Sequence, residues 1–101
     1  SVLSYRRIDK SGREVIIVLN FTPVERLDFT IGVPQPGEYT EFFSSDNTCY
    51  GGSGMENGIL TTSDGAWGEF QQYLTFKLPA YGACFLRRTP KRSISDSTTT
   101  L

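Results

Sequence analysis

At 101 residues the chain is long enough for one domain and not two. Its 38% hydrophobic and 13% aromatic content can build a core without staples, and ten glycines with five prolines suit many short turns. Histidine is absent, which excludes Ser-His-Asp and Cys-His nucleophile systems and histidine-based zinc sites. Formal net charge is −1, but it is unevenly spread: residues 1–13 total +3, residues 14–86 total −7 and residues 87–101 total +3. Basic ends around an acidic middle make a poor nucleic-acid surface, and no nucleic-acid partner is expected.

In chain order, Val2–Ile8 reads as a first strand, and Asp9, Lys10, Ser11 and Gly12 supply turn chemistry. Val15 to Leu19 form an unbroken apolar run, the signature of a strand covered on both faces, so the first two strands should pair as an antiparallel hairpin. Pro23 ends that strand because it has no amide hydrogen to donate. Asn20 opens a glycosylation sequon, but its amide is expected to serve backbone groups at the strand end instead.

Leu27, Phe29, Ile31 and Val33 alternate over residues 27–33, a strand with one buried face. After Pro36 and Gly37 a fourth strand covers residues 38–45, with Tyr39, Glu41 and Phe43 on one face and Thr40 and Phe42 on the other. Residues 46–58 hold four glycines without periodicity and read as a long loop, functional or mobile. A short strand follows at residues 59–62, then a turn at residues 63–65. Residues 66–72 fit no single pattern. Leu74, Phe76 and Leu78 share a face of the next strand, residues 79–82 turn the chain, and residues 83–87 close the sheet. Residues 89–101 have few apolar side chains and are expected to be a disordered tail, leaving a domain of residues 1–88. The expected fold is an all-β antiparallel sandwich of seven or eight strands with Greek-key-type connections.

Cys49 and Cys84 lack CxxC spacing. A disulfide between them is compatible with the spacing; the reduced, intracellular pair is the favoured reading. No stretch is apolar enough to span a membrane, so no membrane partner is expected. The chain starts directly on strand-like residues and reads as cut from a longer protein. The eleven carboxylates sit mostly in turns or on polar strand positions, which leaves no catalytic pair. The glycines of residues 50–54 lack the lysine and following helix of a phosphate loop. Tyr50, Trp67, Phe70 and Tyr81 fall in loops or at strand edges and are the candidate contacts to a glucan or to a neighbouring domain.

Three segments together, residues 19–46, 50–54 and 74–88, resemble the C-terminal domain of bacterial 1,4-α-glucan (glycogen) branching enzymes, in the α-amylase superfamily. The shared features are N-F-T-P at residues 20–23, the G-V-P-x-x-G turn at 32–37, Ser45-Asp46, Y-G-G-S at 50–53 and the late segment 78–83. Ala80 stands where that family commonly has a second proline. The resemblance implies a parent that cuts an α-1,4-glucan and transfers the piece to a 6-hydroxyl, making an α-1,6 branch. It implies catalytic residues in an upstream (β/α)₈ barrel and none here, no metal or other cofactor, and a cytoplasmic setting. This domain would stabilise that barrel and contact glucan at most as an accessory. The alternatives are a self-sufficient carbohydrate-binding module and a stand-alone immunoglobulin-type sandwich; the missing Cys-Trp-Cys arrangement disfavours the latter.

Overall fold

The computed structural model describes residues 2–89; the expected tail lies outside the described residues from residue 90 onward. Eight strands form: β1 (Val2–Ile8), β2 (Glu14–Asn20), β3 (Arg26–Val33), β4 (Glu38–Ser44), β5 (Ile59–Thr61), β6 (Ser63–Trp67), β7 (Phe70–Leu78) and β8 (Ala83–Arg88). A five-stranded sheet has the order β1-β2-β8-β4-β5 and a three-stranded sheet the order β3-β7-β6. All pairings are antiparallel. The chain crosses between sheets after β2, β3, β5 and β7, which gives the Greek-key-type order of an all-β sandwich.

The core lies between the sheets. Ile16, Val18, Tyr39, Cys84 and Leu86 from the larger sheet meet Val33, Leu74, Phe76 and Leu78 from the smaller one. Leu74, Phe76 and Leu78 are buried as the alternation of β7 requires. Val15 and Ile17 are also buried but lie outside this cluster, on the opposite face of β2. The continuous apolar run of β2 therefore reflects two covered faces, one at the core and one under its neighbours on the outer surface.

Asn20 is buried and closes the strand. Its Nδ2 donates to the carbonyls of Val24 at 3.0 Å and Pro79 at 2.9 Å, and its Oδ1 accepts from the Thr22 amide at 3.0 Å. The amide is thus committed to the backbone, as its position at a strand end predicts.

Three local expectations are corrected. Leu27 was expected on the buried face of β3, yet it is exposed: the register with β7 shifts between Arg26 and Phe29, which takes Leu27 out of the alternation that Phe29, Ile31 and Val33 keep. The face assignment in β4 fails at Phe43. A bulge between Glu41 and Phe43 inserts one residue opposite β8, so Phe43 pairs with Phe85 and leaves the face of Tyr39 and Glu41. Residues 63–65 are not a turn but the start of β6, where Ser63 pairs with Tyr73 and Asp64 with Gln72. The long strand β7 supplies a partner edge that overrides the Asp-Gly turn signal. The reversal falls instead between Trp67 and Phe70, with Gly68 at φ +62°.

Candidate functional site

The bulge in β4 decides the character of the outer face of the larger sheet. Period-2 alternation would send Phe42 and Phe43 to opposite faces; the extra residue puts both outside. There Phe85 packs edge-on to Phe42 at 5.9 Å between ring centroids and against Phe43 at 4.9 Å. Tyr50 joins Phe43 at 5.6 Å, and the Arg87 guanidinium lies over the Phe42 ring at 4.2 Å. Cross-strand register continues this face through Ile17, Val15 and Leu19 to Tyr5 and Leu3 on β1. Leu3, Tyr5, Phe42 and Tyr50 are all substantially exposed. The outer face of the smaller sheet is polar where Thr30 and Thr75 pair through their hydroxyls at 3.0 Å and Lys77 is exposed, and its aromatic content is the Trp67–Tyr73 pair beside them. Of the two faces, the first carries the larger continuous apolar group, as a surface normally covered does.

The loop that presents Tyr50 is built around Asp46. Its carboxylate accepts from the Ser53 hydroxyl and from the amides of Ser53 at 3.2 Å and Met55 at 2.8 Å. Those bonds, the Ser53 hydroxyl foremost, hold the Asp46 carboxyl below its usual range. Gly52 is packed against the Asp46 backbone so closely that a Cβ there would collide with its carbonyl. Gly52 thus serves a close approach within the loop itself. Asn47 accepts from the Cys49 amide and caps a short 3₁₀ turn, Thr48–Tyr50. Asn57 then ties the loop's end to both sheets: it bonds the Glu41 carboxylate and, at 2.9 and 2.7 Å, the backbone of Lys77.

The four candidate residues do not converge on one platform. Tyr50 belongs to the aromatic cluster just described. Trp67 and Phe70 pair across the β6–β7 hairpin, where Trp67 stacks at 5.9 Å on Tyr73 and remains half exposed. Phe70 lies beneath the Arg6 guanidinium at 5.1 Å. Tyr81 is exposed in the β7–β8 turn with φ +46°, anchored by its amide to the Thr22 carbonyl. Sequence reasoning missed Phe42, Phe43 and Phe85, whose grouping depends on the bulge, and Asn57, whose partners lie on two other strands. Both cysteines are free, Cys49 exposed and Cys84 buried.

These features define an antiparallel β-sandwich with one uncovered apolar face. A model of the family described as "Alpha amylase, C-terminal all-beta domain" matches residues 1–89, and the chain belongs to that family. Its relatives narrow the resemblance further. It is 43% identical over 89 residues to the 1,4-alpha-glucan branching enzyme GlgB of Dechloromonas aromatica, covering 87% of this chain and 14% of that enzyme. The enzyme of the same name from Nitrosococcus oceani is 45% identical over 92 residues, covering 89% of this chain and 12% of the relative. That from Trichodesmium erythraeum is 41% identical over 97 residues, covering 94% and 12%. The chain therefore spans about an eighth of the length of these relatives.

Proposed function

We propose that residues 1–88 form the non-catalytic accessory domain of a 1,4-α-glucan branching enzyme, packed on the catalytic part of its parent chain. The carrying observation is the outer face of the five-stranded sheet, where Leu3, Tyr5, Phe42 and Tyr50 are exposed around Phe43 and Phe85. The occupant fits the relatives, in which the remainder of the enzyme is about six to seven times the length of the matched part. Tyr50 is then an interdomain contact. The parent's chemistry is the transfer of an α-1,4-glucan segment to a 6-hydroxyl, with the reacting carboxylates in the upstream barrel and a cytoplasmic location. Removing this domain from the parent is expected to lower its Tm and to expose apolar surface to a hydrophobic dye. An unchanged Tm with no added dye binding contradicts the proposal.

A second reading, glucan contact by this domain itself, is favoured by Trp67. Its half-exposed ring, backed by Tyr73 and next to Phe70, offers an apolar plane of the kind a sugar ring stacks on. Native gel electrophoresis with and without glycogen tests it. Retardation of the chain that Trp67→Ala abolishes supports direct contact, whereas equal mobility in both gels leaves the domain a purely structural partner. Tyr81 stands apart in its turn and serves as a comparison variant in the same gel.

A further inference from the structure

At one end of the sandwich, beside the β1–β2 hairpin, an open cleft of about 860 Å³ is lined by Arg6, Arg13 and Arg88, with Glu14 as the only carboxylate in its wall among the described residues. Ser11 and Gln35 add polar side chains, and Ile8 and Pro34 add apolar rims. Glu14 is already engaged. It is buried, accepts from the Tyr39 hydroxyl and pairs with Arg6 at 3.1 Å. Arg13 is held by the hairpin: Asp9 accepts the Ser11 and Arg13 amides at 2.9 Å, and Arg13 Nε donates to the Ser11 hydroxyl at 3.2 Å. The Asp9 carboxylate reaches Arg13 Nε only at 4.0 Å and is shared with Arg87 at 3.5 Å. Arg88 spends Nη2 on the Pro36 carbonyl at 3.0 Å, while its Nε is shielded from solvent with no partner among the described residues.

Three arginines beside one already paired carboxylate leave surplus positive charge in the described part of this concave wall. Guanidinium forks match the paired oxygens of phosphate and carboxylate groups. The turn around Asp9 and the Arg6–Glu14 pair fix two of the three arginines in advance, so little side-chain entropy is lost when an anion enters. We propose that this cleft is an oxyanion-binding site, contacted by Arg6, Arg13 and Arg88, for a phosphate or carboxylate group. The cleft shares no residue with the aromatic face, meets the Trp67 region only where Arg6 lies over Phe70, and does not depend on the function proposed above.

The test is an NMR titration of this chain with inorganic phosphate, read at the arginine Nε–Hε signals, with sodium chloride at matched ionic strength as the control. Arg6, Arg13 and Arg88 are expected to shift together and saturate with one dissociation constant, and chloride is expected to move them little. Arg13→Gln, a change on a hairpin that keeps its backbone bonds to Asp9, is expected to weaken phosphate about five- to tenfold, as loss of one charge-assisted contact does. Arg26→Gln, on β3 and outside the cleft wall, is expected to change nothing. A source in solution is distinguished from an acidic side chain of the parent by repeating the titration on the longer protein. A soluble ligand site still saturates with phosphate there; an internal carboxylate holds the three signals at their bound positions before any is added. The proposal is overturned if phosphate moves these arginines no more than it moves Arg7 and Arg26, or if Arg13→Gln leaves the affinity unchanged.

Discussion

The Asn20 side-chain amide donates to the Pro79 carbonyl at 2.9 Å, joining two chain reversals that lie 59 residues apart. One reversal ends β2 and the other leads from β7 into β8, the strand that pairs with β2. The contact therefore sets where the two sheets are connected. Asn20→Ala leaves the buried Pro79 carbonyl and the part-buried Val24 carbonyl without this donor and the Thr22 amide without its acceptor. We expect a loss of about 2–4 kcal/mol in urea unfolding, the range for breaking a buried hydrogen-bond network. A change below about 0.5 kcal/mol, typical of a neutral surface substitution, would show that the network contributes little.

The two thiols should differ sharply in reactivity. Cys84 is fully buried, and desolvation, followed by the Glu41 carboxylate, pushes its thiol well above the ordinary value. Cys49 is exposed. An aromatic disulfide reagent at pH 8 is expected to titrate one thiol per folded chain rapidly and the second only in denaturant. Two fast thiols would contradict the buried position of Cys84.

Stability should decline on the alkaline side. Burial and the adjoining Glu14 carboxylate raise the Tyr39 phenol above its ordinary value, and Cys84 is raised as well. For both groups the folded state favours the protonated form. Their contribution is therefore complete below the unfolded-state values and shrinks as pH rises beyond them, from about pH 9 upward. Urea midpoints should be level between about pH 7 and 8.5 and fall above about pH 9. In Cys84→Ala the decline should start nearer the tyrosine range. A midpoint that rises above pH 9 would reverse the sign and contradict the burial of these two groups.

Acid acts on the loop instead. Asp46 is held below its ordinary value by Ser53 and Met55, so its contribution is present above the unfolded carboxyl value and is lost as pH falls through the folded one. Asp46→Asn is expected to speed amide exchange at Ser53 and Met55 at neutral pH while leaving β2 protected. In the unsubstituted chain the same loop should exchange faster than β2, because its bonds are local and exposed whereas β2 is paired on both edges. Equal protection of the loop and β2 would show that the loop is part of the globally cooperative unit.

Much of this architecture is legible in the sequence because β1, β2 and β7 carry strong local patterns: a turn-bounded first strand, an uninterrupted apolar run and a clean alternation. Asn20 is legible too, since a polar side chain at the end of a buried strand has backbone groups to satisfy. What escapes is whatever one residue of register decides. The bulge beside Phe42 leaves no mark in the local composition, yet it alone brings Phe43 to Phe85 and creates the aromatic face. Ser63 to Gly65 carry turn chemistry and still extend, because β7 offers a partner that local propensity does not register. The arginine cleft draws on β1, the first hairpin and β8, opposite ends of the chain that no spacing rule connects.

In the proposed assembly the rest of the parent enzyme covers the outer face of the five-stranded sheet. Hydroxyl-radical footprinting, run in parallel on this chain and on the full-length parent, reads that cover residue by residue. Tyr5, Phe42, Phe43 and Tyr50 are expected to label readily in the isolated chain and to be protected at least several-fold in the parent, with Thr30 and Thr75 on the outer face of the three-stranded sheet labelling alike in both. Equal labelling of the four aromatic residues in the two proteins would contradict the proposed assembly.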